Sequence, residues 1–323
     1  MDFQDRLELV KKEVEKELVA FFSKKRKEAK QISPHCTMLI DQVESLTLRG
    51  GKRTRAFLCW LGHHSVIARS ESSSDAAISK KYEIASPSEW TRNDTLLSAM
   101  MAIELFQSFA LIHDDIIDED TIRRGGPTVH EHFRVACSLS HGSSHKAHRF
   151  GESMAILAGD LALVWADELI NNIQYPMTND QSKHKKNFLT ESLALYQKMK
   201  EEVMYGQALG VMETYMKPGI PKELIDTYKT AWYSVIRPLQ IGACIAGADQ
   251  AFLDRLAAYG LIAGRAYQLR DDHLDGDVSQ TDFEGMAQTY ERDMRRVMTS
   301  WHLGKTQKQL FIDYFHFALA RLL

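Results

Sequence analysis

Two clusters of aspartate carry the most explicit chemistry in this sequence. Asp114, Asp115 and Asp118 follow the pattern Asp-Asp-x-x-Asp, and Asp271, Asp272 and Asp275 repeat it. Each cluster closes a long segment of helical apolar periodicity. Four helical residues turn about 400°, so the first and last aspartates of each cluster fall within about 40° on one face. A helix C-terminus is a poor place for a purely structural acid. The dipole disfavours negative charge there, and like charges four residues apart repel. A hard divalent cation relieves both penalties. Mg2+ takes oxygen ligands, keeps several waters and commonly binds carboxylates together with substrate phosphates. Two facing carboxylate sets can thus hold a diphosphate through shared Mg2+ ions. One such cluster alone is as readily a solvated acidic helix end; two, each after an apolar segment, favour the metal.

Basic groups stand ready for a second anion. Residues 49–55 read Arg-Gly-Gly-Lys-Arg-Thr-Arg. Gly50 and Gly51 precede an expected helix, whose free N–H groups favour an anion. Lys52 and Arg55 lie three apart and are expected to share a face. Arg123 and Arg124 follow the first acid cluster, and the planar guanidinium fork suits phosphate oxygens. The segment is not a nucleotide-binding P-loop. His141, His145 and His148 have a spacing that can hold a metal, but their Ser/Gly-rich surroundings add only Glu152, and a solvated loop accounts for them better.

The elements that must position these groups are helices. Helical periodicity runs through about 4–30, 36–48, 52–69, 94–118, 128–137, 152–174, 187–215, 222–247, 250–275, 283–301 and 306–322. Strand-like alternation is hard to find. Two polar stretches, 70–94 and 138–152, are expected as loops. No composition shift marks a boundary, so the expectation is one all-α domain over 1–323 with about ten helices. The 323 residues, 44% hydrophobic, are ample for a large core. A formal charge of −3 gives no reason to expect nucleic acid. Cys36, Cys59, Cys137 and Cys244 form no Cys-x-x-Cys pair, so reduced thiols in a cytoplasmic protein are expected. The N-terminus lacks the apolar stretch of a signal peptide. No run of eighteen apolar residues occurs, so no transmembrane segment is expected. The basic run at 24–27 can touch anionic lipid but fits a solvated helix end better.

Four segments occur in order: GGKRTR, LIHDDIIDEDTIRRG, YKTAWYSV and YQLRDDHLD. Together they resemble the trans-prenyltransferases, the polyprenyl synthetase family of isoprenoid diphosphate synthases. The resemblance spans about residues 45–277. It implies the all-α isoprenoid synthase fold, a single-domain bundle around a deep central cavity, usually a homodimer, and Mg2+ dependence, with three ions once diphosphate is bound. Asp114, Asp118, Asp271 and Asp275 match the family's magnesium ligands, with Asp115 and Asp272 beside them. Lys52, Arg55 and Arg124 match its contacts to isopentenyl diphosphate. Arg123, Lys229, Thr230 and Gln268 match its contacts to the allylic diphosphate. The implied reaction is ionisation of the allylic substrate, attack by the isopentenyl double bond and loss of a proton.

Helix phase places Ala110, Gln107 and Ile103 within about 40° of Asp114, beneath a pocket rim. The family often places a length-limiting aromatic where Phe109 stands. Phe109, Ala110 and the uninterrupted acid motif resemble short-chain synthases, with a C20 geranylgeranyl product expected first and C15 farnesyl second. Three departures stand out. Gln107 replaces a frequent histidine, though its amide still donates to phosphate. Gly210 stands where many members carry aspartate. After Asp277, the usual lysine-bearing lid segment is shortened or missing, and lids exclude water from reactive intermediates. That last departure keeps a second expectation open, a catalytically weak partner subunit of another synthase. A terpene cyclase is disfavoured by the second Asp-Asp-x-x-Asp and the basic site.

Overall fold

The computed structural model describes residues 2–71, 94–141, 144–172 and 182–320, and helix dominates them. The order is α1 (Phe3–Ile32), a 3-10 turn (Pro34–Cys36), α2 (Thr37–Leu48), α3 (Thr54–Glu71), α4 (Asp94–Ile117), a hairpin of β1 (Ile122–Arg123) and β2 (Gly126–Pro127), α5 (Val129–His141), α6 (Ser144–Asn171), α7 (Ser182–Met216), α8 (Lys222–Asp226), a π-helical stretch (Thr227–Ile236), α9 (Arg237–Ile245), α10 (Gln250–Leu274), α11 (Gln280–Met298) and α12 (Lys305–Ala320). The all-α expectation holds, and most expected segments coincide with helices. The polar stretch 138–152 does not form the expected loop. α5 continues to His141 and α6 starts at Ser144. The pattern there suits an exposed helix, with Ala147 buried while His145, Lys146, His148 and Arg149 face solvent. Residues 72–93 of the other polar stretch, and the side chain of His141, lie outside the described residues.

The chain divides into two compact units that interleave in sequence. An N-terminal unit comprises Gln4–Phe57 and Leu97–Ile173; a C-terminal unit comprises Met1–Phe3, Leu58–Leu96 and Gln174–Leu323.

In the N-terminal unit α1 buries Val10, Val14, Leu18 and Phe22, one residue per turn. Phe21 and Phe22 meet Trp165 of α6 edge-on, with centroids 6.0 and 6.1 Å apart. The basic run at 24–27 is largely spent on internal pairs. Lys25 bonds Glu168 and Glu28, and Arg26 bonds Asp41 and Glu44. α6 packs on α5 and α2. Gly151 permits the approach to α5, since a Cβ there would lie 2.4 Å from the His130 carbonyl. The stretch Thr95–Ile117 of α4 is long and apolar enough to cross a membrane, which amends the expectation from uninterrupted runs. With 78% of that window buried, it has the cover of a core helix.

In the C-terminal unit α10 packs against the π stretch, α11 and α12, and α7 packs against the π stretch and α9. Trp301, Tyr259, Phe311 and Phe252 form an edge-to-face cluster, and the Tyr259 hydroxyl donates to the Phe311 carbonyl at 2.7 Å. α3 and α9 cross at paired glycines. A Cβ on Gly62 would lie 2.0 Å from the Leu239 carbonyl oxygen, and one on Gly242 would lie 1.8 Å from that of Cys59. Only hydrogen fits at either point.

Candidate active site

Both acid clusters end their helices in the same way. Asp118 N–H bonds the Asp114 carbonyl at 2.8 Å and Asp120 N–H reaches back to Asp115 at 2.9 Å. In the second cluster Asp275 N–H bonds the Asp271 carbonyl at 3.0 Å and Asp277 N–H reaches Asp272 at 2.8 Å. The left-handed residue this ending requires is Glu119 (φ 55°) in one and Gly276 (φ 86°) in the other. The helical spacing of each aspartate pair therefore survives to its last residue.

In the N-terminal unit the three acids differ in depth. Asp118 is exposed, Asp114 is half-buried, and Asp115 is fully buried. A two-residue turn with positive φ at Arg124 (54°) and Gly125 (73°) closes the hairpin behind them. It returns Arg123 to the helix end, where Arg123 lies 2.6 Å from Asp115 Oδ1 and 2.8 Å from Asp120 Oδ2. Burial still wins at Asp115. It pushes the carboxyl up to about 6, against the pull of Arg123. At Arg123 burial also opposes the charge, but the side chain is 27% exposed and the surrounding acids hold its pKa above the usual value. The second oxygen of Asp115 is buried with no hydrogen-bond partner among the described residues.

The basic loop is clasped to this hairpin. Arg49 donates to the Pro127 carbonyl at 2.9 Å, and Arg124 donates to the Leu46 carbonyl at 3.0 Å. Two glycines make room for these guanidinium groups. A Cβ on Gly126 would lie 2.3 Å from Arg49, and one on Gly51 would lie 3.2 Å from Arg124. Gly50, Gly51 and Arg53 all have positive φ, so the chain is unwound before α3 starts at Thr54. Lys52 thus precedes the helix, and the expected shared helical face with Arg55 does not exist. Arg53 turns inward, to Glu15 at 2.9 Å and Glu104 at 3.4 Å. Glu104 also accepts from Ala56 N–H at 3.3 Å, so one first-turn donor of α3 already serves an internal anion. Neighbouring guanidinium groups still repel Arg124. Burial first, then Arg53, Arg55 and Arg123, together lower the pKa of Arg124 to about 10, against the pull of Glu104. An incoming anion relieves that repulsion.

Gln107 and Phe109 are buried on α4, and Ala110 is half-buried. Phe109 packs on Phe106 and His113, with centroids 5.3 and 4.6 Å apart.

In the C-terminal unit Lys229 and Thr230 lie on the π stretch. Glycines let its neighbours close in: a Cβ on Gly206 of α7 would lie 2.6 Å from Lys229 N, and one on Gly264 of α10 would lie 2.5 Å from the Ala231 Cβ. Thr230 donates to Gln268 Oε1 at 3.2 Å, and Gln268 Nε2 donates to Asp272 Oδ1 at 2.8 Å. Lys222, which the sequence did not single out, bonds both oxygens of Asp272 at 3.0 and 3.1 Å. Burial pushes Asp271 up to about 6, with Asp275 and Asp272 adding to the rise against Arg270. Beyond Asp277, α11 begins at Gln280 and docks through Phe283, whose ring stacks on His273 at 4.7 Å.

Among the described residues no three acids, histidines or cysteines converge to enclose a cation. Mg2+ asks for less, since one or two carboxylates suffice when phosphate oxygens and water complete the shell. Donors that are all carboxylate oxygen suit it. Asp114 and Asp118, and Asp271 and Asp275, fit such an ion.

A model of the polyprenyl synthetase family matches residues 37–308. Curated relatives include a geranylfarnesyl diphosphate synthase of Natronomonas pharaonis, 32% identical over 56% of this chain and 46% of that protein. A farnesyl diphosphate synthase of Geobacillus stearothermophilus is 36% identical over 55% of this chain and 54% of that protein. The matches thus span about half the length of these relatives. A geranylgeranyl pyrophosphate synthase of Corynebacterium glutamicum, solved with isoprenyl diphosphate and magnesium, superposes over 100% of both chains with a TM-score of 0.75 at 24% identity. It shares this chain's all-α fold. With the family model covering most of the chain and both aspartate motifs inside the match, this chain belongs to the polyprenyl synthetase family.

Proposed function

We propose that this protein joins isopentenyl diphosphate to an allylic diphosphate, head to tail, to make a short prenyl diphosphate. The carrying observation is that both acid clusters close helices with matching geometry, each with one carboxyl raised by burial to about 6. At Asp271 a bound cation would offset the cost of burial, whereas at Asp115 Arg123 already supplies positive charge and leaves Asp114 and Asp118 for the metal. Asp114, Asp118, Asp271 and Asp275 are the proposed Mg2+ ligands. The metal, when bound with diphosphate, draws charge from the leaving group. Arg123, Lys229, Thr230 and Gln268 orient the allylic diphosphate, and Lys52, Arg55 and Arg124 hold isopentenyl diphosphate for in-line attack. Gln107 donates its amide at the base of the site. The allylic carbon–oxygen bond breaks, the isopentenyl double bond attacks the carbocation, and a proton leaves to the released diphosphate. Phe109, with small Ala110 beside it, sets the floor for a C20 product.

We also propose a homodimer. Phe150, Leu157 and Val164 of α6 repeat every seven residues and are 38%, 53% and 59% exposed. Seven-residue spacing keeps them on one face, and a second copy of that face would cover them.

The test is to incubate purified protein with Mg2+, labelled isopentenyl diphosphate and each of the C5, C10 and C15 allylic diphosphates, then size the products. The expected result is C20, lost on Asp114→Ala. One feature favours a weak partner subunit instead: the first basic residue after Asp275 is Arg292, well inside α11. Folded protein that makes no product from any primer decides for that alternative.

A further inference from the structure

We propose that Lys222 is a positioning residue of the second acid cluster, pairing with Asp272 so that Mg2+ is confined to Asp271 and Asp275. This rests on the function proposed above. Asp271, Asp272 and Asp275 fall within about one helical turn, so three carboxylates compete for any cation that arrives. Asp272 is already engaged. Its Oδ1 accepts from Gln268 Nε2 at 2.8 Å and from Lys222 Nζ at 3.0 Å, and its Oδ2 accepts from Lys222 at 3.1 Å. Gln268 cannot turn away freely, because its Oε1 accepts from Thr230 at 3.2 Å. Lys222 is fixed in turn by Asp226, one turn along α8, at 2.8 Å. A metal ligated by Asp272 would have to break three hydrogen bonds and turn the ammonium loose. Asp272 also points about 100° around the helix from Asp271, away from the Asp271–Asp275 line. The ammonium thus acts as a built-in counter-ion on one side of the cluster and leaves the other side to the metal.

Lys222 is exposed over 58% of its side chain, so replacing it disturbs little packing. Lys222→Met keeps the stem and removes the charge. That leaves Asp272 and Asp226 as two uncompensated anions beside the proposed metal ligands. Calorimetric titration of the substrate-free protein with Mg2+ alone reads the consequence. Lys222→Met is expected to bind Mg2+ about three- to tenfold more tightly than wild type, the order expected for removing one nearby positive charge. Lys222→Arg is expected to stay close to wild type. Lys222→Met combined with Asp272→Asn is expected to return most of the way, because the released carboxylate is gone.

Titrations of wild type and Lys222→Met within twofold of each other, or both too weak to measure, overturn the proposal. So does a double variant that behaves like Lys222→Met. Lys222 would then be a strap between α8 and α10 and nothing more. Product formation by wild type is measured separately. Product with no Mg2+ response to Lys222→Met sinks this inference alone. A clear Mg2+ response with no product from any primer sinks the proposed reaction and leaves Lys222 its role.

Discussion

Asp115 shows depth overruling a charge partner. It lies 2.6 Å from Arg123, yet burial keeps its carboxyl at about 6. Between the ordinary aspartate value and about 6, the folded chain takes up a proton there that the unfolded chain does not. Stability from this residue therefore rises as the pH falls through 6, and is lost as the pH climbs back. Asp115→Asn should remove that dependence. Without Mg2+, the melting temperature of Asp115→Asn minus that of wild type should be larger at pH 7 than at pH 5; an equal difference at both would show that Asp115 ionises normally. Phe109 carries the product-length prediction. Phe109→Ala should shift the product beyond C20 with the same primers, and an unchanged product would make Phe109 plain packing against Phe106 and His113. The aspartates were legible in the sequence because their spacing is local. Lys222 was not, since its partner lies fifty residues away and only tertiary packing unites them. Arg49 likewise reads as one more loop base until the hairpin carbonyl it bonds is known.

The π stretch, Thr227–Ile236, makes the element scale informative. A π turn inside a helix costs backbone geometry and is frequent at functional sites. Here it presents Lys229 and Thr230, and glycines on α7 and α10 let both helices close on it. Gly264→Ala would put a Cβ 2.5 Å from that of Ala231, within close-packed surroundings. It should destabilise the protein by about 1–3 kcal/mol. It should also raise KM for the allylic substrate more than for isopentenyl diphosphate, because Thr230 orients Gln268. Urea unfolding reads the first effect and steady-state kinetics the second; lost stability with both KM values unchanged would separate the stretch from binding. Helix periodicity located this region as one segment, 222–247, but apolar spacing does not distinguish a π turn from an α turn. The same limit misplaced 138–152. Serine, glycine and histidine mark a loop by composition, while Ala147 and Gly151, four apart, give the start of α6 a buried face.

At the scale of the whole molecule, the chain enters each compact unit more than once, so no composition shift could mark a division. The helices that close in acids fall on both sides of it, one motif per unit. Fold class was legible because periodicity repeats in nearly every segment. The exposed face of α6 was not, because the helix must bury one face internally and the sequence does not say which apolar residues remain outside. The structure assigns Ala155, Ala158, Ala162, Trp165 and Ala166 to the inside and leaves Phe150, Leu157 and Val164 exposed. A second copy burying that stripe would remove three large apolar side chains from water on each chain, at roughly 25 cal/mol per Å2 of apolar surface. Paired glutamates at the stripe's centre and one end, Leu157→Glu with Val164→Glu, would set like charges against each other across such an interface. Sedimentation equilibrium should find a dimer for wild type and a monomer for the double variant. Because both sites are exposed, the variant's own fold should be little disturbed, with its circular dichroism unchanged. A wild type that sediments as a monomer, or a variant that stays dimeric, would remove α6 as the self-association face. A monomeric variant that keeps its helicity would instead assign the stripe to the partner copy.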